Sequence, residues 1–335
     1  MIIPNLHQPT NFLAILRVSL IICTLALASN AESPPLVESE PMLVPGTKGK
    51  FDLLKVDEQL HRLLANHTGN GTLDVFDLPD GKLRQSVPTG APQDVAIDYE
   101  RGKYYVTVSD RSDLAIVDRQ TLTLADSVPL PAAPDGCAYD SKNRLVYVDR
   151  DNGEDVWVVD PSARRIVATI KVPKAPEAIL YDPATDRIYQ NIKSKPVTLS
   201  IDPAMNSVIE TWSTVPAENL HGLAIDSKNH RLFPAGGNGK LSVLDSASGN
   251  VLSSAEIASG VDQIAYDPAN NRIYCASGRS GLSVVEVTVS GVRLIGNIAT
   301  PTGAHSVAVD PATHAVWIAY GRENESFLLK LSVPP

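Results

Sequence analysis

The sequence predicts an all-β fold: a seven-bladed β-propeller with four-stranded blades, the last blade completed by an N-terminal strand. Three observations carry that expectation. A strand–turn–strand unit recurs at 91–106, 133–148, 175–190, 220–234, 261–275 and 303–320, with a weaker copy at 51–64. Each copy pivots on an aspartate (Asp57, Asp98, Asp140, Asp182, Asp226, Asp267, Asp310), and the pivots lie 41–44 residues apart, the period of a four-stranded blade. The 335-residue chain is rich in Pro (25) and Gly (21) and shows no long helical pattern, while its apolar residues alternate at period two. Length alone would suggest two domains. The unbroken repeat argues for one closed ring over residues 32–335.

Residues 1–31 read differently. Arg17 precedes an apolar run from Val18 to Leu27, and the small residues Ala28, Ser29 and Ala31 follow. This is the pattern of a secretory signal peptide, too short and too broken to span a bilayer. Cys23 lacks the small residues that precede a lipoprotein cysteine, so no lipid anchor is expected. A secreted or periplasmic protein without a transmembrane segment follows. Its formal charge, −9 for the whole chain, becomes about −10 without Arg17. Such a surface repels phosphate backbones, which excludes nucleic acid as a partner. The remaining cysteines, Cys137 and Cys275, fall on opposite sides of the expected ring, beyond the ~7 Å Cα reach of a disulfide. They are expected to be free and buried.

Within the unit each position has its own task. Repeat 2 gives strands at 93–98, 103–108, 114–118 and 125–130, and repeat 3 matches it at 135–140, 144–149, 156–160 and 166–172. Seven residues after the pivot stand Tyr105, Tyr147, Tyr189, Phe233, Tyr274 and Trp317, expected between blades as core. The pivot aspartates are expected to cap turns through their carboxylates. Repeat 7 supplies only three strands. By alignment with an outer strand of repeat 2, Pro41–Pro45 is expected to be its fourth, closing the ring and removing a sheet edge.

These tandem units, with Tyr105-Val106-Thr107-Val108 close to the namesake tetrapeptide, resemble the YVTN-type (YncE-like) seven-bladed propellers over roughly residues 40–331. The resemblance implies the fold and an exported binding or scaffold protein. Similar-looking propellers include lactone hydrolases and a streptogramin-type lyase that work at a metal or histidine site by the central channel.

No G-x-S-x-G elbow, P-loop, H-E-x-x-H or C-x-x-C pattern occurs, and Gly236–Gly239 is a hairpin turn rather than a phosphate cradle. Asn66, Asn70 and Asn324 head N-x-[ST] sequons. One constellation remains. Five residues before each pivot stand Asp52, Gln93, Asp135, Glu177, His221, Asp262 and His305, each heading an innermost strand. Together they are expected to ring one mouth of the channel. Asp52, Gln93, Asp135, Glu177 and Asp262 are the binding candidates. The crowded acids favour a bound cation or raised pKa values. His221, Asp262, His305 and Glu177 are the candidates to hold one divalent metal ion. Two functions compete: a monomeric binding protein that takes a small-molecule ligand or protein partner at this mouth, and a metal-assisted, lactonase-like hydrolase or lyase with His221 or His305 as catalytic base. The loops above the ring carry Arg111, Arg150, Lys193, Lys195, Arg279 and Arg322, an expected basic rim.

Overall fold

A computed structural model describes residues 34–334, besides Met1 and Ile2. The leader expected over residues 1–31 lies, but for those two residues, outside the described part, Cys23 included. The described chain forms seven antiparallel sheets. Six are four-stranded blades built from consecutive chain, spanning 54–88, 92–129, 134–171, 176–213, 220–256 and 261–298. The seventh joins Ser306–Val309, Val316–Arg322 and Glu325–Ser332 to segments from the N-terminal side. Helix among the described residues is confined to one short 3-10 turn, Ser227–Asn229.

The pivots explain the turns. All seven aspartate carboxylates accept a backbone N–H from two or three residues ahead, at 2.9–3.2 Å. Four residues after every pivot the backbone turns left-handed: His61, Gly102, Arg144, Asp186, His230, Asn271 and His314 all have φ between 50° and 63°. Only one of the seven is glycine. The other six hold a conformation that costs an L-residue about 1–2 kcal/mol, offset by the carboxylate cap and the paired strands. Asp57 does more. Arg119 of the second blade donates to it through Nε (2.6 Å) and Nη2 (2.7 Å), and Tyr104 Oη does so at 2.6 Å, tying the first two blades by a buried ion pair.

The core lies between blades. The expected aromatics are all there: Tyr105, Tyr147, Tyr189, Phe233, Tyr274 and Trp317 are each at most 2% exposed. Tyr105 of the second blade, for example, packs with Cys137, Val146 and Val148 of the third. Each buried ring removes enough apolar surface to contribute about 1.5–3 kcal/mol. Cys137 and Cys275 are free and buried, as the ring geometry requires.

Closure occurs where the sequence places it, and more extensively. Met42 and Leu43 pair with Leu328 and Phe327, inside the expected Pro41–Pro45 strand. A second bridge, unforeseen, pairs Val37 and Glu38 with Ser332 and Leu331. The flanking prolines lack an N–H and keep each bridge short. Leu36 and Val44, both 2% exposed, anchor the segment in two separate interblade cores. On the channel side Gln263 adds a third tie. Its Oε1 accepts from the amides of Leu54 and Val307, and its Nε2 donates to Leu54 O, so one side chain links blades six, seven and one.

Candidate functional site

The innermost strands of blades two to six break register at the same place. Pairing jumps between Pro92 and Val95, Pro134 and Cys137, Pro176 and Ile179, Leu220 and Leu223, and Val261 and Ile264. Two residues there oppose one on the partner strand, which is a β-bulge. The ring residue is the first of each pair. A bulge suspends strict alternation, so the second residue can also approach the channel. Small residues fill that place in three blades: Gly136, Ala178 and Gly222. A Cβ on Gly222 would come within 2.8 Å of Ile264 and 3.1 Å of Asp262 O, so the close approach of blades five and six requires the glycine.

Asp52, Asp135, Glu177, His221 and Asp262 line one cavity of ≈ 360 Å³, together with Lys55, Glu58 and Asp94. His221 lies between two of these acids. Its Nδ1 lies 2.9 Å from Glu177 Oε1 and 3.3 Å from Asp262 Oδ1. The outer oxygens of the two acids turn to other cations. Lys193 Nζ is 3.5 Å from Glu177 Oε2, and His305 Nδ1 is 2.8 Å from Asp262 Oδ2. These are ion-pair approaches rather than aligned hydrogen bonds, since Nδ1 of neither histidine has a hydrogen-bond partner.

Charge and burial compete at each group. Burial opposes the charged form of His221, but the contacts with Asp262 and Glu177 outweigh it and hold the pKa at about 9. His305 is raised in the same way, burial being overcome by Asp262. Burial would push Asp262 up, yet the two imidazoles hold it below the usual carboxylate range. At Asp52 the charges of His305 and Lys50 pull the pKa down but do not prevail. Burial, then the charge of Asp262, raises it to about 7. Asp135 is raised well above its ordinary value by burial, then by Asp149, Glu177 and Asp52. Burial dominates at Asp149 as well, and lifts it although Gln190 Nε2 and Gly136 N donate to its carboxylate.

Two of the seven ring residues depart from the expectation. Gln93 does not face the cavity: its Nε2 donates to Ser109 Oγ (2.8 Å) and Ala91 O (3.2 Å) of its own blade. His305 stands behind Asp262, and the three residues whose ligand atoms fall within 4.8 Å of one another are Glu177, His221 and Asp262. The basic rim is thinner than its composition suggests. Arg111 is spent on Asp113, Arg150 on Asp155, and Lys193 bends inward to Glu177. Lys195, Arg279 and Arg322 remain exposed. Sequence reasoning also passed over Asp94 and Asp149. Asp94, the second bulge residue of blade two, is 3.5 Å from Lys55 and accepts from the amides of Val95 and Cys137. Its carboxylate, at a position that is Gly136, Ala178 and Gly222 in other blades, was the available signal. Asp149 comes from a second strand and gave none.

A second His-acid arrangement lies at the seam of blades one and seven. His67 Nδ1 is 2.7 Å from Asp74 Oδ2, and His67 Nε2 is 2.9 Å from Ser326 Oγ. The order is that of a nucleophilic triad. All three residues are 0% exposed, so no substrate reaches the serine, and the arrangement serves as a latch. Asn66, beside it, is equally buried and donates to Leu53 O, which leaves no room for a glycan at that sequon.

No family model matches the chain, and no curated protein matches it. Solved structures do. One is the hydrazine synthase of Kuenenia stuttgartiensis, with a TM-score of 0.72 and 15% identity over 87% of this chain and 99% of that one. Another is a chain of a mitotic checkpoint complex, with a TM-score of 0.74 and 14% identity over 95% and 98%. At such identities the likeness is one of fold, and it confirms the seven-bladed propeller without assigning the chain to the YVTN-type family.

Proposed function

We propose that the protein is an exported binding protein that holds a small ligand with a cationic group at the channel mouth. The observation that carries this reading is the imbalance of paired charges in the cavity. His221 and His305 answer Glu177 and Asp262, and Lys55 answers Asp94. Among the described residues neither Asp52 nor Asp135 has an ion-pair partner within 4 Å, and both have raised pKa values, His305 and Lys50 offsetting only part of the rise at Asp52. A cation placed between them would relieve that cost. The volume, near the low end for ligand pockets, suits a small molecule. The exposed Lys195, Arg279 and Arg322 above would face the ligand's polar periphery. Export rests on the leader pattern alone.

The test uses spermidine and choline as probes, followed by calorimetry and thermal shift. Binding is expected in the purified protein and lost in the Asp52→Asn/Asp135→Asn double variant, with an unchanged or higher Tm because the amides carry no cost of burying a charge. Probe binding that survives in this variant would place function on another face.

A metal-assisted hydrolase or lyase is the second reading, favoured by the convergence of Glu177, His221 and Asp262. It ranks second because His221 Nδ1 is held between Glu177 and Asp262, 2.9 Å and 3.3 Å away, and is not free to take a proton from a substrate.

A further inference from the structure

We infer that Glu177, His221 and Asp262 form a three-ligand site for one divalent transition-metal ion of the Zn²⁺ class, open toward the channel cavity. The inference rests on the reading of the channel mouth as the binding site and adds a resident ion to it.

Donor spacing is the first argument. Ligand atoms about 2.0–2.2 Å from a tetrahedral ion lie roughly 3.3–3.6 Å from one another. Here His221 Nδ1 is 2.9 Å from Glu177 Oε1 and 3.3 Å from Asp262 Oδ1, and the three residues' ligand atoms lie within 4.8 Å of one another, so side-chain adjustment brings all three to an ion. The second argument is direction. Nδ1 of His221 is buried and has two carboxylate oxygens close by, yet it makes no aligned hydrogen bond to either. A ring nitrogen so placed can turn its lone pair to an ion between the two acids. The outer shell is the third. Each acid offers one oxygen to the centre and gives the other to a second cation, Lys193 on Glu177 and His305 on Asp262. Such partners fix the rotamer of a ligating carboxylate.

The donor set chooses the ion. One imidazole with two carboxylates suits zinc and its neighbours, whereas Mg²⁺ and Ca²⁺ call for oxygen donors throughout. The two carboxylates offset the dication, and the proton of His221 leaves to solvent as the ion binds. Three protein ligands leave at least one coordination position, and all three residues line the cavity, so that position faces whatever enters it. His305 acts here as a positioning residue.

Titration of the chelator-stripped protein with ZnCl₂ in a calorimeter tests the site. One ion per chain is expected, with affinity reduced more than about 100-fold in His221→Ala and in the isosteric Glu177→Gln, which preserves packing if the first variant folds poorly. His305→Gln is expected to fall between, about 10- to 100-fold weaker. Absence of a zinc isotherm in the wild type, or variants that bind as the wild type does, would overturn the metal site. If zinc fails while spermidine still binds in a manner dependent on Asp52 and Asp135, the metal inference alone falls. If neither probe binds, the reading of the mouth falls with it.

Discussion

Deletion of residues 34–46 is expected to abolish the cooperative unfolding transition of the protein or to lower its stability by more than about 5 kcal/mol. The segment supplies both bridges to Glu325–Ser332, so without it the last blade keeps three strands and an open edge. Leu36 and Val44 leave two different interblade cores, at about 1.5–3 kcal/mol each. The contact of Pro35 with Gly296 of blade six is lost as well. A propeller of this kind has a total stability on the order of 5–15 kcal/mol. Urea unfolding followed by circular dichroism would measure the change. A midpoint close to that of the intact chain would show that the ring closes by other contacts.

His67→Ala is expected to cost about 3–5 kcal/mol, far more than Ser326→Ala at about 1 kcal/mol. His67 reaches several partners from one buried ring. It contacts Asp74, contacts Ser326 across the seam, and stacks on Phe51 at 3.8 Å between centroids. Its loss leaves the fully buried Asp74 carboxylate with Thr72 Oγ1 as its remaining side-chain donor, and opens a cavity beneath Phe51. Denaturant titration of both variants would check the ranking. A cost below about 1 kcal/mol for His67→Ala would mean that water or the main chain replaces the latch.

The blades were legible because each repeat carries its own boundary marks: a pivot aspartate, an aromatic seven residues on, and apolar alternation between them. Closure was legible in part. The alignment placed Met42 and Leu43, but Val37 and Glu38 pair through their backbones and left no pattern to read. The left-handed residue after each pivot was hidden, because six of the seven are not glycine. At the site, spacing picked out the ring positions, and five of those seven residues reach one cavity. Orientation escaped it. An alternating pattern cannot announce a bulge, so Asp94 and Gln263, which both line the cavity, were passed over. Gln93 turned aside because Ser109, sixteen residues on, offered an acceptor in its own blade. Likewise the rim arginines are quenched by aspartates two and five residues away, Asp113 and Asp155, which a count of basic residues does not reveal.

The central claim is that the channel mouth built by the bulged strands is where this protein binds. Crystals soaked with spermidine and ZnCl₂, measured at the zinc absorption edge, would examine it directly. The account predicts density for a cationic chain between Asp52 and Asp135 and an anomalous peak beside His221 Nδ1. A cavity holding only water, with the soaked molecules gathered on another face, would contradict it.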